Sequence, residues 1–179
     1  MDVAIRQPEP ADLPGLEASS ASLFAEDGAT RDRLRNARWP QEHGRAWIDG
    51  LLSSPDALVL VAVGPYGDVV GHLIGCFYAA SPMWLGARTE LISTLVSPAF
   101  RRQTIGGRLV EAFFSWSRER GAERFQVSAY AANESAIRFY RRHGFAPLSV
   151  ELAVDAVDAV DAVEATNAAE AADATGDAG

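Results

Sequence analysis

Lysine is absent from the 179 residues and cysteine occurs once, at Cys76. No apolar run approaches the ~20 residues that a bilayer span requires. One cysteine excludes an internal disulfide framework and any multi-cysteine zinc site, and the apolar, strand-like surroundings of Cys76 fit a small buried hydrophobe. The start, MDVAIRQPEPAD, has neither the basic opening nor the apolar core of a signal peptide, so a cytoplasmic location without membrane contact is expected. His43, His72 and His143 are scattered without ligand spacing, and no metal is expected. Neither the Walker pattern nor the GxGxxG dinucleotide fingerprint occurs, which disfavours nucleoside triphosphates and NAD.

What is present is ordinary globular usage, 48% apolar against 22% charged, in a chain of one-domain length. The net charge of -8 resides in the end of the chain: residues 151 to 179 carry eight acids and no base, while residues 1 to 150 balance sixteen acids against sixteen arginines. Between 101 and 142, nine arginines face four acids, a local excess that should attract an anion. A nucleic-acid partner is not expected, because this segment lacks interleaved exposed aromatics and the tail is acidic. From residue 153 the alanine- and aspartate-rich run reads as a mobile acidic tail, with a packed helix as the alternative.

Along residues 1 to 152, VAIRQPEPADL reads as a short strand and turn, with Asp12 as the cap of a first helix running to about Ser22. The spacing of residues 23 to 54 is helical but interrupted at Pro40 and Gly44, which predicts a broken helix or two helices with loops. Its Trp39 and Trp47 read as core. ALVLVAV and VVGHLIGCFYAA, joined by PYGD, predict a hairpin, and TELISTLVS a further strand. Ile105, Leu109, Val110, Phe113, Phe114 and Trp116 recur at helical spacing from Thr104 to a stop at Gly121. RFQVSAY predicts a strand, NESAIRFYRRHG a capped helix, and FAPLSVELAV a last strand.

The junction RRQTIGGRL, residues 101 to 109, carries the chemistry. A helix start leaves amides unpaired and partly positive; Arg101, Arg102 and Arg108 add charge, and Gly106 and Gly107 would let a ligand approach. TLVSPAFRRQTIGGRL (94 to 109) resembles the central motif of the GNAT acyltransferase superfamily, a strand ending in V-x-P followed by [QR]-x-x-G-x-[GA] and a helix. NESAIRFYRRHGF (133 to 145) is similar to that family's N-x-x-A-x-x-x-Y-x-x-x-G-F. Order and spacing agree over about residues 3 to 152.

The resemblance implies an α/β fold with a mixed, mostly antiparallel sheet flanked by helices on both faces, and acetyl-CoA as co-substrate. It assigns the diphosphate to Arg101, Arg102, Gln103, Thr104, Ile105, Gly106 and Gly107, the pantetheine arm to the backbone of Thr94, Leu95 and Val96, and a further contact to Asn133. Thr104 departs from the motif's first glycine; a helical conformation is expected there, at little cost and with the hydroxyl free to bond a phosphate, whereas a need for glycine's freedom would lower cofactor affinity. Tyr140 is implied as the acid and Glu90 as the base, with alternation placing Glu90, Ile92 and Thr94 on one side unless a bulge shifts the phase. The glutamate of another branch is replaced by Ser128. Phe24, Glu26, Asp27, Trp84 and Tyr130 are implied to line the acceptor pocket. The expected activity is acetyl transfer to a primary amine of a small molecule or peptide, through a ternary complex; the alternative is a CoA-binding regulatory module without catalysis. Only one strand is read after Phe145, where the family usually has a hairpin, which leaves the last strand missing, merged or supplied by a second copy, as in a homodimer.

Overall fold

A computed structural model describes residues 2–156, so the tail from 157 onward lies outside the described residues. The chain divides after Phe145, and the unit ending there carries a five-stranded open sheet in the order β1-β2-β3-β4-β5. Its elements run β1 (Ala4–Arg6), α1 (Leu13–Leu23), a π-helical turn (Phe24–Gly28), α2 (Ala29–Arg31), α3 (Trp39–Leu52), β2 (Ala57–Val63), β3 (Val69–Tyr78), β4 (Arg88–Val96), α4 (Ile105–Glu119), β5 (Arg124–Val127) and α5 (Glu134–Arg142). Neighbours are antiparallel from β1 to β4, and β4 and β5 are parallel. No helix among the described residues is long and apolar enough to cross a membrane.

Alternation explains why the sheet is covered twice. Along β2, Leu58, Leu60 and Ala62 join a core with Ile105, Leu109, Val110 and Phe113 of α4. The intervening Val59, Val61 and Val63 pack on the opposite face against Leu16 of α1 and Ile48 of α3. The near-continuous apolar run of β2 is thus two alternating faces, each buried under its own helices.

Three sequence expectations change. Pro40 does not break α3; it occupies the first turn, where a missing N–H costs nothing, and the helix continues through the buried Gly44. Asp12 does not cap α1 through its side chain. Its carboxylate instead accepts from the Glu9 amide at 2.7 Å and from Arg6 Nη1 at 2.5 Å, which holds that carboxyl below the usual carboxylate range, the Arg6 hydrogen bond being the main cause. The strand expected over FAPLSVELAV does not form: beyond Phe145, positions 146 to 155 have no regular structure, and Leu148, Val150, Leu152 and Val154 are exposed. A period-2 pattern supplies strand propensity, but a strand exists only when another backbone pairs with it.

Candidate active site

The site begins where two strands part. β4 pairs with β3 over its full length, but β5 follows β4 only from Arg88 to Leu91. One edge of β4, from residue 92 to 96, therefore has no strand partner among the described residues. On its other edge Ile74 faces Ser93 while Gly75 faces Leu91, so Ile92 is the extra residue of a bulge.

The bulge corrects the expected phase. Before it, Thr89 and Leu91 face α4: the Thr89 and Ser117 hydroxyls are 2.8 Å apart and Leu91 lies in the α4 core. Glu90 therefore points to the α1 face. After the bulge, Ser93 takes the α1 face, where its hydroxyl lies 2.8 Å from His72 Nε2, and Val96 packs on the α4 side. Glu90 thus shares a face with Ser93 rather than with Thr94. His72 is fully buried, with its Nδ1 2.7 Å from Ser19 Oγ of α1, and burial pushes its pKa down to about 4. The neutral ring ties α1 to β4 one residue past the bulge.

The loop between β4 and α4 is strained. Thr104 has φ 64° and ψ −6°, and Arg102 also has a positive φ of 65°. The helical conformation expected for Thr104 is not the one adopted. It holds a left-handed geometry that a β-branched side chain resists by about 1–2 kcal/mol, with its hydroxyl donating to the Gln103 carbonyl at 2.6 Å. Immediately after it α4 begins, and the first-turn amides of Ile105, Gly106 and Gly107 have no acceptor within the helix. The two glycines have another reason to be small: a Cβ on Gly106 would lie 3.2 Å from the Phe139 ring, and one on Gly107 would lie 3.2 Å from His143. They let α5 approach α4.

The arginines are partly committed. Arg108 Nη1 donates to the Val3 carbonyl at 2.8 Å, tying α4 to the start of the chain. Arg101 donates to the Val96 carbonyl at 2.9 Å and to Glu26 at 2.8 Å. Asn133 caps α5 by accepting from the Ala136 amide at 3.1 Å, which leaves its Nδ2 to donate to Asp27 at 2.7 Å. Arg31, which pairs with Asp27, also donates to the Ala132 carbonyl at 3.1 Å. Glu26 and Asp27, expected as acceptor-pocket carboxylates, are therefore both paired: their π-helical turn is fastened to the loop after β4 and to the start of α5.

Tyr140 packs between Phe139 and Phe145, at ring separations of 5.4 and 5.7 Å. Burial, with a smaller contribution from the Asp27 charge, raises its phenol to about 12, so it keeps its proton at neutral pH. Phe24 stacks on Trp39 at 6.2 Å, while Trp84, on the β3–β4 connection, carries the Arg88 guanidinium at 4.3 Å. Two polar atoms are left over. The Gln126 amide oxygen and the Tyr130 hydroxyl are buried without a hydrogen-bond partner among the described residues, a condition that costs about 1–3 kcal/mol per group. Sequence reasoning reached Tyr130 but missed Gln126, which nothing in the pattern of RFQVSAY marks.

Residues 24–145 match the family model described as the acetyltransferase (GNAT) family. The chain belongs to the GNAT family. Among curated proteins it is similar to the streptothricin acetyltransferase of Streptomyces lavendulae, 32% identical over 117 residues; the alignment takes in 65% of this chain and 59% of that protein's length. Among solved structures it is similar to aminoglycoside N-acetyltransferase AAC(6')-Iy in complex with CoA, at 15% identity and a TM-score of 0.69, covering 86% of this chain and 94% of the other. The aminoglycoside 6'-N-acetyltransferase AAC(6')-Ih of Acinetobacter baumannii superimposes with a TM-score of 0.66 at 17% identity, covering 86% and 97%. These two likenesses concern the fold. GNAT acetyltransferases use acetyl-CoA, and the residues here fit it: a β4 edge without a strand partner among the described residues for an extended amide-bearing arm, and α4 amides without an acceptor within the helix for a diphosphate.

Proposed function

We propose that this GNAT protein transfers an acetyl group from acetyl-CoA directly to a primary amine of a small cationic molecule, within a ternary complex. The observation that carries the reading is the parting of β5 from β4 beside the α4 N-terminus, with the proton-bearing phenol of Tyr140 on the helix behind it. Acetyl-CoA supplies the activated acyl group, whose C–S bond breaks as the amine nitrogen forms the new C–N bond. Thr104, Ile105, Gly106 and Gly107 would hold the diphosphate through their amides, with Gln103, Arg101 and Arg102 beside them. Arg101 must exchange Glu26 for that anion. Thr94, Leu95 and Val96 would offer backbone groups to the pantetheine arm, and Asn133 orients the start of α5.

Glu90 takes the proton that the nitrogen loses. Tyr140 serves the departing sulfur, and its elevated pKa decides how. A phenol near 12 is a weaker acid than a thiol near 8.5, so it acts as a hydrogen bond that strengthens as charge grows on sulfur, and solvent returns the proton balance. Phe24, Trp84 and Tyr130 would line the acceptor side, with Glu26 and Asp27 reaching it by exchanging partners. The streptothricin acetyltransferase named above supports an amine-bearing small molecule such as streptothricin as acceptor.

Thiol release from acetyl-CoA across streptothricin, neamine, spermidine, amino acids and short peptides tests the reading. Turnover with an amino-sugar antibiotic is expected. Tight CoA binding without release to any amine would replace the proposal by a regulatory CoA-binding module.

A further inference from the structure

Phe125 and Val127 of β5 pack into the α4 core, so Gln126 between them points to the opposite face of the sheet. Alternation sends Glu90 to that same face, and Glu90 and Gln126 are register partners one residue before β4 and β5 part. Two residues and four residues along the chain from Gln126 come Ser128 and Tyr130, the latter with its own buried, unpartnered hydroxyl. A carboxylate and an amide oxygen that only accepts thus sit side by side one residue before the strands divide, and a tyrosine with a buried hydroxyl follows in the segment that leads to α5. Buried polar atoms in folded proteins are satisfied nearly everywhere, so each exception calls for a partner or a catalytic role.

Resting on the acetyl-transfer reading, we propose that Gln126 is an acceptor-binding residue. Its Oε1 receives an N–H from the incoming amino group while Glu90 beside it receives the proton lost in transfer, and the Tyr130 hydroxyl provides the second polar contact. Holding one N–H on Gln126 fixes the direction of the nitrogen lone pair. A secondary amine, with one N–H fewer, cannot serve Gln126 and Glu90 together, so the pair also selects primary amines.

The experiment compares wild type with Gln126→Met and Gln126→Glu, using neamine and streptothricin as acceptors. Methionine keeps the length and removes the orphaned oxygen; the melting temperature is expected to hold or rise, the KM for the amine to rise at least tenfold, and the KM for acetyl-CoA to stay within twofold. Gln126→Glu, which retains an accepting oxygen, is expected to recover most of the amine affinity. Calorimetric titration of neamine into the CoA-saturated protein should show the same tenfold loss in Gln126→Met. An unchanged amine KM, or a rise confined to acetyl-CoA, overturns the inference and leaves acetyl transfer standing. A fall in melting temperature with normal kinetics also overturns it, because the oxygen would then have a structural partner. Wild-type protein that binds CoA but acetylates no amine overturns both readings.

Discussion

Strand β3 is paired on both sides along nearly its whole length, whereas β4 and β5 share four residue pairs and then separate. In the first region the buried polar group, His72, has a partner on each ring nitrogen. In the second, two buried oxygens have none, and the adjoining loop holds a threonine in a glycine conformation. The paired region stores stability, and the parted region leaves hydrogen bonds unmade, strain unrelieved and helix amides open, which are the conditions a ligand can answer.

The sharpest separation of the two regions is expected from Tyr140→Phe. The ring keeps its contacts with Phe139 and Phe145 while the hydroxyl is lost, so melting should shift little, whereas kcat should fall by about 100-fold or more, the usual scale for losing one hydrogen-bond donor to charge that develops in the transition state. Leu73→Ala does the reverse. Leu73 is fully buried in the α4 core, and truncation should cost about 2–5 kcal/mol in urea unfolding while acetyl-CoA KM in the folded protein holds.

His72 gives the paired region a pH signature. Its folded pKa, about 4, lies below the ordinary imidazole value of 6.5, so the unfolded state binds more protons between those values. The stabilisation is present above pH 6.5 and is lost as pH falls towards 4, amounting to about 3 kcal/mol. Urea midpoints at pH 7 and pH 4.5 measure it, and His72→Gln should flatten the slope in that window.

Thr104→Gly is the smallest expected effect and the one that joins the regions. Glycine accepts φ 64° without its neighbours moving, so relief of about 1 kcal/mol should raise the melting temperature by roughly 2–4 °C. CoA affinity, read by calorimetry, should hold or improve. A lower affinity would mean that the threonine hydroxyl itself serves the diphosphate.

Most elements were legible because their patterns are local. The alternation of ALVLVAV, the helical spacing from Ile105 to Trp116, and Asn133 ahead of an amphipathic run each declare themselves within a dozen residues. The motif from Thr94 to Leu109 was equally local, and it led to the correct family. What was not legible shares a cause: Thr104 could not announce its sign of φ, Gly106 and Gly107 could not reveal that α5 lies on them, and the hydrogen bonds from Arg101 to Glu26 and from Asn133 to Asp27 span 75 and 106 residues. Alternation alone put Glu90 with Thr94, and the bulge at Ile92 moved them to opposite faces.

The sequence by itself determined the order of strands and helices, the apolar faces that drive them together, and a helix start flanked by arginine, because each follows from residues within one or two turns of one another. Tertiary structure decided where β5 leaves β4, which carboxylates are already paired, and which buried oxygens remain without a partner. Those depend on chain segments that meet only after folding, and hydrogen-bond satisfaction is a property of the meeting rather than of either segment.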